Sequence, residues 1–203
     1  MNNLGLAIAL GLTLSAASLA PATAQQPATA SAVKAGTYKL EPHHTQVLWS
    51  VDHFGFSRLS GMVGGMSGEL QLDPARPSAA KLQVEIPLSG LSVTSSDFAK
   101  HLQTPDLFDV AKFPTARFVS RTVVVRGQQA TITGDLTLRG VTKPVVLDAK
   151  FYGAGANPMS KAETVGFSAK GKLKRSDFGL GYAVPAVSDV VDLEIAAVFE
   201  AAR

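Results

Sequence analysis

The stretch VGFSAKGKL, residues 165–173, decides the fold class because its side chains alternate strictly along the chain. Val165, Phe167 and Leu173 fall on one face together with small residues, whereas the other face carries polar side chains such as Lys170. This period of two is typical of a β-strand that buries one face and exposes the other to water. The stretch is therefore predicted to be one strand of an antiparallel sheet.

Seven further stretches on either side of it alternate in the same way. They are residues 47–53, 66–72, 82–88, 115–125, 132–138, 145–151 and 191–199. Turn residues such as Asp73-Pro74 separate them, and only in the stretch with Arg117 and Arg121 are the two faces blurred. Eight antiparallel strands with one apolar face close most simply into a barrel, which leaves no unpaired edge, and a two-sheet sandwich is the alternative. The sequence predicts an all-β fold.

Residues 90–113 break the alternation between the third and fourth strands. The run TSSD at residues 94–97 offers helix N-caps. Phe98, Leu102 and Phe108 supply apolar anchors behind it. A short helical insertion is predicted at this point.

The first 24 residues carry no charged side chain and end in the small-x-small sequence Ala22-Thr23-Ala24. This pattern is typical of a secretory signal peptide cleaved after Ala24, with an uncleaved anchor as the alternative. Residues 25–36 are small and aperiodic, which predicts a flexible segment before the barrel of residues 37–203.

Composition narrows the function classes. The chain has 203 residues, no cysteine and a formal net charge of +3. A chain of this length is typical of one domain with a sizeable core. The lack of cysteine excludes disulfide scaffolds, thiol nucleophiles and Cys-type zinc sites. A small net charge without a basic run gives no indication of a nucleic-acid partner.

The predicted inward rows contain unusually small residues. They are Gly68, Gly134, Ala149, Ala169, Gly171 and Ala197. Either they leave space along the barrel axis for one slender ligand, or the glycines mark bends where the barrel curves. If the space exists, its wall is predicted to include Trp49, Val51, Leu70, Val84, Ile86, Leu136, Leu147, Phe151, Phe167, Ala169 and Ile195, with Phe98, Leu102 and Phe108 contributed by the insertion.

Strand direction predicts a polar collar at one end of this space. In an up-and-down barrel, strands one, three, five and seven end at the same mouth, which gathers His53, Arg175, residues 139–143 and the helical insertion. An Arg there is suited to grip phosphate oxygens, and a His to donate to a phosphate or carbonyl. Alternatively Arg175 pairs structurally with Asp177 or Asp97, and His53 is a satisfied rim residue.

Three other groups of residues carry weaker signals. The four histidines lack metal-ligand spacing, so no metal site is predicted. Asp97 and His101 lie one helical turn apart, which suits a helix-stabilising pair or part of a hydrolytic site. Lys170, Lys172 and Lys174 share an outward face, either simply solvated or in contact with anionic lipid heads.

Several motifs in the same order resemble the YceI-like family. They are HHT at residues 43–45, VLWSVDHFGFSRLSG at 47–61, DFAKHLQTPDLFDVAKFPTARFVS at 97–120, GDLTLRGVTKPVVL at 134–147 and KRSDFGLG at 174–181. The resemblance extends over residues 37–200. It implies a lipocalin-like, polyisoprenoid-binding barrel of the periplasm, often dimeric. It further implies a non-enzymatic carrier or sensor for a quinone tail or polyprenyl phosphate, and it supplies no catalytic residue and no catalytic cofactor. The alternatives are a structural or adaptor barrel filled by its own side chains, and a lipid-head-group hydrolase that uses Asp97 and His101.

Overall fold

The computed structural model describes residues 33–202, whose eleven strands form a single sheet. The strands are β1 (Gly36–Leu40), β2 (Gln46–His53), β3 (Ser57–Val63), β4 (Ser67–Leu72), β5 (Lys81–Pro87), β6 (Leu91–Ser92), β7 (Thr115–Arg126), β8 (Gln129–Leu138), β9 (Val141–Ala156), β10 (Glu163–Lys174) and β11 (Val190–Ala201). The single α-helix of this described part is α1 (Ser96–Gln103), between β6 and β7. It begins where the Ser95 hydroxyl accepts a hydrogen bond from the Phe98 amide. The signal peptide and most of the flexible segment predicted from the sequence lie outside the described residues.

The sheet closes on itself as a barrel. Around the ring the order is β1, β4, β5, β7, β8, β9, β10 and β11, and β1 pairs with β11 from Tyr38 opposite Ala201 to Leu40 opposite Phe199. All pairings are antiparallel between neighbours in the meander. The predicted eight-stranded antiparallel barrel with a short helical insertion is therefore confirmed, and the two-sheet sandwich is excluded.

Three of the eight barrel strands are broken into two pieces, which explains why eleven strands make an eight-stranded barrel. Strands β1 and β2 pair with different halves of β11, and β4 and β3 pair with β1 and β2 in turn. Strand β6 continues β5 and pairs with β3. Gly65, at φ +69°, lies in the break between β3 and β4, where the left-handed backbone favours glycine.

Two β-bulges change which residues point inward. The register between β7 and β8 shifts between Ser120 and Thr122, so Arg121 is an extra residue. The register between β9 and β10 shifts beside Phe167, where Tyr152 is the extra residue. Each bulge moves the inward row by one position, because the side chains of a strand alternate. The bulge at Arg121 is the reason why the sequence pattern of this strand was blurred.

The two ends of the barrel are built differently. The end that we call the helix end comprises residues 53–57, 88–114, 138–141 and 174–190, and it carries α1 together with the long β10–β11 loop. The opposite end, the mouth end, comprises residues 33–36, 72–81, 126–129, 150–164 and 200–202, and consists of short loops and strand ends. Within residues 33–202, no helix has the length and apolar character needed to cross a membrane.

The inward glycines mark close approaches between strands and leave no space of their own. A Cβ placed on Gly68 would lie 2.3 Å from the Gln83 carbonyl oxygen, and one on Gly171 would lie 2.7 Å from the Leu147 side chain. A Cβ on Gly134 would lie 2.3 Å from the Phe118 ring. The glycines are therefore required by the close approach of neighbouring side chains and backbone, and they do not supply the space along the barrel axis.

We expect the Gly68→Ala variant to lose about 1–3 kcal/mol of unfolding free energy, because the added methyl group meets strand backbone that cannot rotate away. Urea denaturation followed by tryptophan fluorescence measures the loss. The matched control is Gly153→Ala, because a Cβ at Gly153 has no heavy atom within 4 Å. Equal stability of the two variants would contradict the close approach at Gly68.

Candidate functional site

An apolar cavity of about 350 Å³ occupies the half of the barrel nearest the mouth end. Its wall draws on all eight barrel strands, and its entrance lies between the β4–β5 loop, the β7–β8 turn and Val33. The lining side chains are Val33, Leu40, Thr45, Val47, Met66, Leu70, Leu72, Pro74, Pro77, Ala80, Leu82, Val84, Ile86, Phe118, Val123, Val125, Gln128, Gln129, Ala130, Ile132, Leu147, Ala149, Phe151, Val165, Phe167, Ala169, Ile195, Ala197 and Phe199, together with Gly127. None of them is charged.

The few polar side chains of the wall leave the interior apolar. Thr45 is buried, and its hydroxyl exchanges hydrogen bonds with the backbone of Val198, donating to the carbonyl at 3.3 Å and accepting from the amide at 3.0 Å. Gln128 and Gln129 belong to the β7–β8 turn at the entrance. A ligand that enters this cavity therefore buries an uncharged, apolar part, because a charged group would find no partner inside.

Alanines create the width of the cavity. Ala149 lies opposite Ala169 across β9 and β10, and Ala197 lies opposite Phe167 across β10 and β11. All three alanines line the cavity. The small inward residues thus do leave space, but through the alanines and not through the glycines.

The cavity is blind at the helix end. Phe118 and Leu147 belong both to its wall and to a buried cluster with Leu136, Phe178 and Leu180. Phe178 is only 1% exposed. This cluster fills the barrel below the cavity, so the filled-barrel expectation applies to one half of the molecule only.

The predicted polar collar is wrong, because its residues lie at the closed helix end and bind the protein's own backbone. The Arg175 guanidinium donates to the carbonyl oxygens of Ser188, Leu180, Tyr182 and Val187 at 2.6–2.9 Å. Burial lowers the pKa of Arg175, and the nearby charge of Asp189 acts against this. An arginine remains protonated in such a setting. Arg175 therefore ties the β10–β11 loop across the barrel end.

Two further features close the same end. Arg139 donates to the carbonyl oxygens of Pro105, Leu107 and Gly179, which joins the insertion to the loop after β10. Asp189 accepts hydrogen bonds from the amide and the hydroxyl of Ser176. Burial alone would raise the pKa of Asp189, but these bonds together with the charges of Arg175 and Lys174 outweigh burial and hold the pKa below its ordinary value. The polar groups of the helix end are thus used in closing it.

The structure divides the residues predicted to contact a ligand into two groups. Leu70, Val84, Ile86, Leu147, Phe151, Phe167, Ala169 and Ile195 come together in the cavity wall, and their contact with a ligand stays a prediction. Trp49, Val51, His53, Phe98, Leu102, Phe108, Leu136 and Arg175 lie outside it. These eight belong to the helix-end half, where the inward rows continue but the barrel is filled.

Individual contacts explain the second group. The Trp49 ring packs over Gly61 and beside Val93, as the position of a Cβ built on Gly61 shows. His53 forms a backbone bridge with Val187 and stacks edge-on against Phe54. Leu102 and Leu136 are buried. Phe98 lies edge-on to His101, and Phe108 packs on the buried cluster.

The sequence also missed parts of the wall. Val123 and Val125 line the cavity because the bulge at Arg121 turns them inward. Val33 lines the entrance, although it belongs to the segment predicted to be flexible. Met66 and Phe199 lie on the apolar faces of their alternating stretches, so the alternation alone would have predicted their place in the cavity wall.

Asp97 and His101 do not pair. The Asp97 side chain is 92% exposed and contacts Lys100 at 3.4 Å. His101 Nε2 lies 3.9 Å from the Asp106 carboxylate, and the ring stands edge-on to Tyr182. The helix-stabilising pair predicted from the Asp97–His101 spacing is therefore wrong, and the two side chains are not brought together as parts of a hydrolytic site. Among residues 33–202 there is also no cluster of three or more His, Asp or Glu side chains suited to a metal ion.

A closed eight-stranded barrel with an apolar cavity open at one end has the architecture of the lipocalin-like class. The YceI-like domain profile matches residues 38–199, and the chain belongs to the YceI-like family. A Salmonella arizonae protein named YceI is 39% identical over 169 residues, which cover 82% of this chain and 87% of the relative.

Solved structures agree with the fold. A crystal structure of the Campylobacter jejuni YceI protein superposes with a TM-score of 0.66 at 30% identity, covering 75% of this chain and 90% of that one. A polyisoprenoid binding domain from Saccharophagus degradans superposes with a TM-score of 0.62 at 13% identity, covering 83% of this chain and 100% of that one. The second likeness concerns the fold alone.

Proposed function

We propose that this protein is an exported, non-enzymatic binder that carries or sequesters a long isoprenoid chain, of the quinone or polyprenyl phosphate type. The observation that carries the proposal is the blind cavity, whose wall contains no charged side chain and is apolar except for Thr45, Gln128 and Gln129. Burying one CH₂ group contributes about 0.8 kcal/mol, so an apolar chain gains affinity without any polar anchor. The polyisoprenoid binding domain of Saccharophagus degradans, with the same fold, supports this choice of ligand class.

The shape of the site supports one orientation of the proposed ligand. The chain end enters first, because the interior offers nothing to a charged head group, and the head group stays at the mouth end near Gln128 and Gln129. The cavity volume of about 350 Å³ lies near the lower limit for ligand sites. The cavity therefore encloses the end segment of a long chain, and several head groups are tolerated.

Native mass spectrometry of the protein purified from its exporting host, followed by organic extraction, tests this proposal. We expect a stoichiometric bound species that is released as a prenyl lipid, and a polypeptide mass that begins at Gln25 if the signal peptide is cleaved after Ala24. The same spectrum distinguishes a monomer from the homodimer. A protein that is purified empty and takes up neither an isoprenoid quinone nor a polyprenyl phosphate would overturn the proposal.

A further inference from the structure

The β9–β10 hairpin extends beyond β8 and the β7–β8 turn at the mouth end, whereas β11 runs beside it as far as Glu200, opposite Thr164. The Phe151 amide donates to the Gln128 carbonyl oxygen, and this is where β9 leaves β8. Strand β9 then continues to Ala156, which pairs with Glu163 of β10. Five residues of extended chain reach about 16 Å, less the tilt of the strand. The hairpin thus extends past the β7–β8 turn, beside the cavity entrance.

This hairpin displays apolar side chains to solvent. Met159 at its tip is 88% exposed, and Tyr152 at the bulge is 80% exposed. The tip is ordered by Asn157, whose side-chain oxygen accepts from the Met159 and Ser160 amides and whose side-chain nitrogen donates to Glu200. Met159 is therefore held outward by a defined loop.

The mouth end is positively charged, whereas the helix end is neutral. At the mouth end the cations are Lys34, Arg76, Lys81, Arg126, Lys150 and Lys161, and the carboxylates are Asp73, Glu163 and Glu200. Six positive charges less three negative charges leave +3. At the helix end Lys100, Lys112, Arg139, Lys174 and Arg175 balance Asp97, Asp106, Asp109, Asp177 and Asp189.

Ion pairs show which of the mouth-end cations are neutralised by a neighbouring carboxylate. Within the described residues, Lys34 pairs with Glu163 and Arg76 with Asp73, whereas Arg126 and Lys150 have no carboxylate partner. Lys161 donates to the Pro158 carbonyl oxygen. After these pairs, the mouth-end charges that remain are Lys81 at the start of β5, Arg126 at the β7–β8 turn, and Lys150 and Lys161 of the hairpin, against Glu200.

The lysine row of β10 is a weaker candidate for lipid contact. Lys170 lies 3.6 Å from Glu194, and Lys172 lies 3.0 Å from Asp192, so neighbouring β11 neutralises most of this face. The helix end offers exposed aromatic side chains, with Phe56 at 89% exposure, but no net charge. Of the two ends, as residues 33–202 form them, the mouth end alone combines exposed apolar side chains with a charge excess.

We propose that the mouth end docks on an anionic bilayer surface, with Met159 and Tyr152 at the interface and Arg126, Lys150 and Lys161 among the lipid head groups. Apolar and aromatic side chains partition into the interfacial region, and each cation near an anionic surface adds to the attraction. Docking in this orientation presses the cavity entrance against the membrane.

The proposal rests on the proposed function for its cargo, which the cavity encloses only in part. Each CH₂ group that crosses water costs about 0.8 kcal/mol, so a long chain passes between bilayer and cavity far more readily when the two are in contact. Docking gives the remaining part of the chain an apolar surrounding. The docking itself is measurable without any cargo.

Co-sedimentation of the exported protein with vesicles tests the docking. We expect binding to vesicles of phosphatidylcholine and phosphatidylglycerol in equal parts, and little binding to phosphatidylcholine alone. Replacing three cations together, Arg126→Gln, Lys150→Gln and Lys161→Gln, weakens the binding about a hundredfold, at roughly fivefold per cation. Replacing the two apolar side chains, Tyr152→Ser and Met159→Ser, weakens it at least tenfold.

Matched control variants distinguish docking through the mouth end from docking through the β10 lysine row or through the helix end. The triple variant Lys170→Gln, Lys172→Gln and Lys174→Gln removes the same charge from β10, and Phe56→Ser removes an exposed ring from the helix end; both retain vesicle binding. Failure of the wild-type protein to bind anionic vesicles, or equal losses in the control and mouth-end triple variants, would overturn the proposal. Native mass spectrometry with an added isoprenoid quinone reports the cavity separately. Docking without lipid uptake refutes the proposed function alone, and uptake without docking refutes the docking alone.

Discussion

The Arg175→Leu variant loses about 3–4 kcal/mol of unfolding free energy. Arg175 is 7% exposed and donates hydrogen bonds to the carbonyl oxygens of Ser188, Leu180, Tyr182 and Val187. A buried carbonyl oxygen left without a hydrogen-bond donor costs about 1–3 kcal/mol. When the loop relaxes in the variant, water reaches some of the four carbonyl oxygens, and the others stay without a donor. For a chain of this size the loss lowers the Tm by about 10 °C.

Thermal and urea denaturation of variants measure this effect. Arg175→Lys is also destabilised, because one ammonium group cannot reach four carbonyl oxygens arranged around a planar guanidinium. The control is Lys174→Ala, which removes the exposed cation immediately before Arg175 in the chain. This variant is expected to unfold like the wild type. If Arg175→Leu unfolds at the wild-type temperature, the β10–β11 loop does not depend on Arg175.

The strand order was predictable from the sequence because alternation and meander connections are local properties. Residues 165–173 and 191–199 have the same inward face in the structure as in the sequence pattern. The insertion was predictable for the same reason, since Ser95 caps α1 within the predicted run of cap residues. Each of these features depends on neighbours in the chain.

The bulges at Arg121 and Tyr152 were not predictable in this way. A bulge residue gives no signal in the composition of a strand and changes only which alternate residues point inward. The inward orientation of Val123 and Val125 was therefore not predictable from the sequence. The small inward residues were ambiguous for a second reason, because a small side chain has two different causes in this barrel. Gly68 is small because the Gln83 backbone approaches it, whereas Ala169 is small because it faces the cavity. These two causes are distinguished only by the distance between neighbouring strands, which the sequence does not show.

The position of the mouth was predicted at the wrong end for a comparable reason. The sequence correctly gathers His53, Arg139 and Arg175 at one end, but it does not show whether a polar side chain faces a ligand or the protein's own carbonyl groups. The long β10–β11 loop provides those carbonyl groups. Its Phe178 and Leu180 fill the barrel below the cavity, so the open end is the one with short loops.

The Ala169→Trp variant folds and loses isoprenoid binding by at least a hundredfold. Ala169 faces the cavity between Ala149 and Ile195, so an indole at this position occupies the width that the alanines create. Each buried CH₂ group contributes about 0.8 kcal/mol, so displacing about four of them from the cavity costs about 3 kcal/mol. This free energy corresponds to an increase of more than a hundredfold in Kd. The ring enters existing space, so the barrel retains its strand pairing.

Uptake of an isoprenoid quinone, followed by native mass spectrometry, measures the loss, and circular dichroism checks the fold. The matched control is Lys170→Trp, which places the same ring one residue further along β10 on the outer face, where Lys170 has only the exposed Glu194 as a partner. We expect this control to bind like the wild type. Ala169→Leu covers the case in which the indole prevents folding, with an expected loss of about tenfold because the smaller side chain displaces fewer CH₂ groups. A folded Ala169→Trp protein with unchanged affinity would mean that the ligand binds outside the cavity, since no chain end reaches past an indole in a space of about 350 Å³.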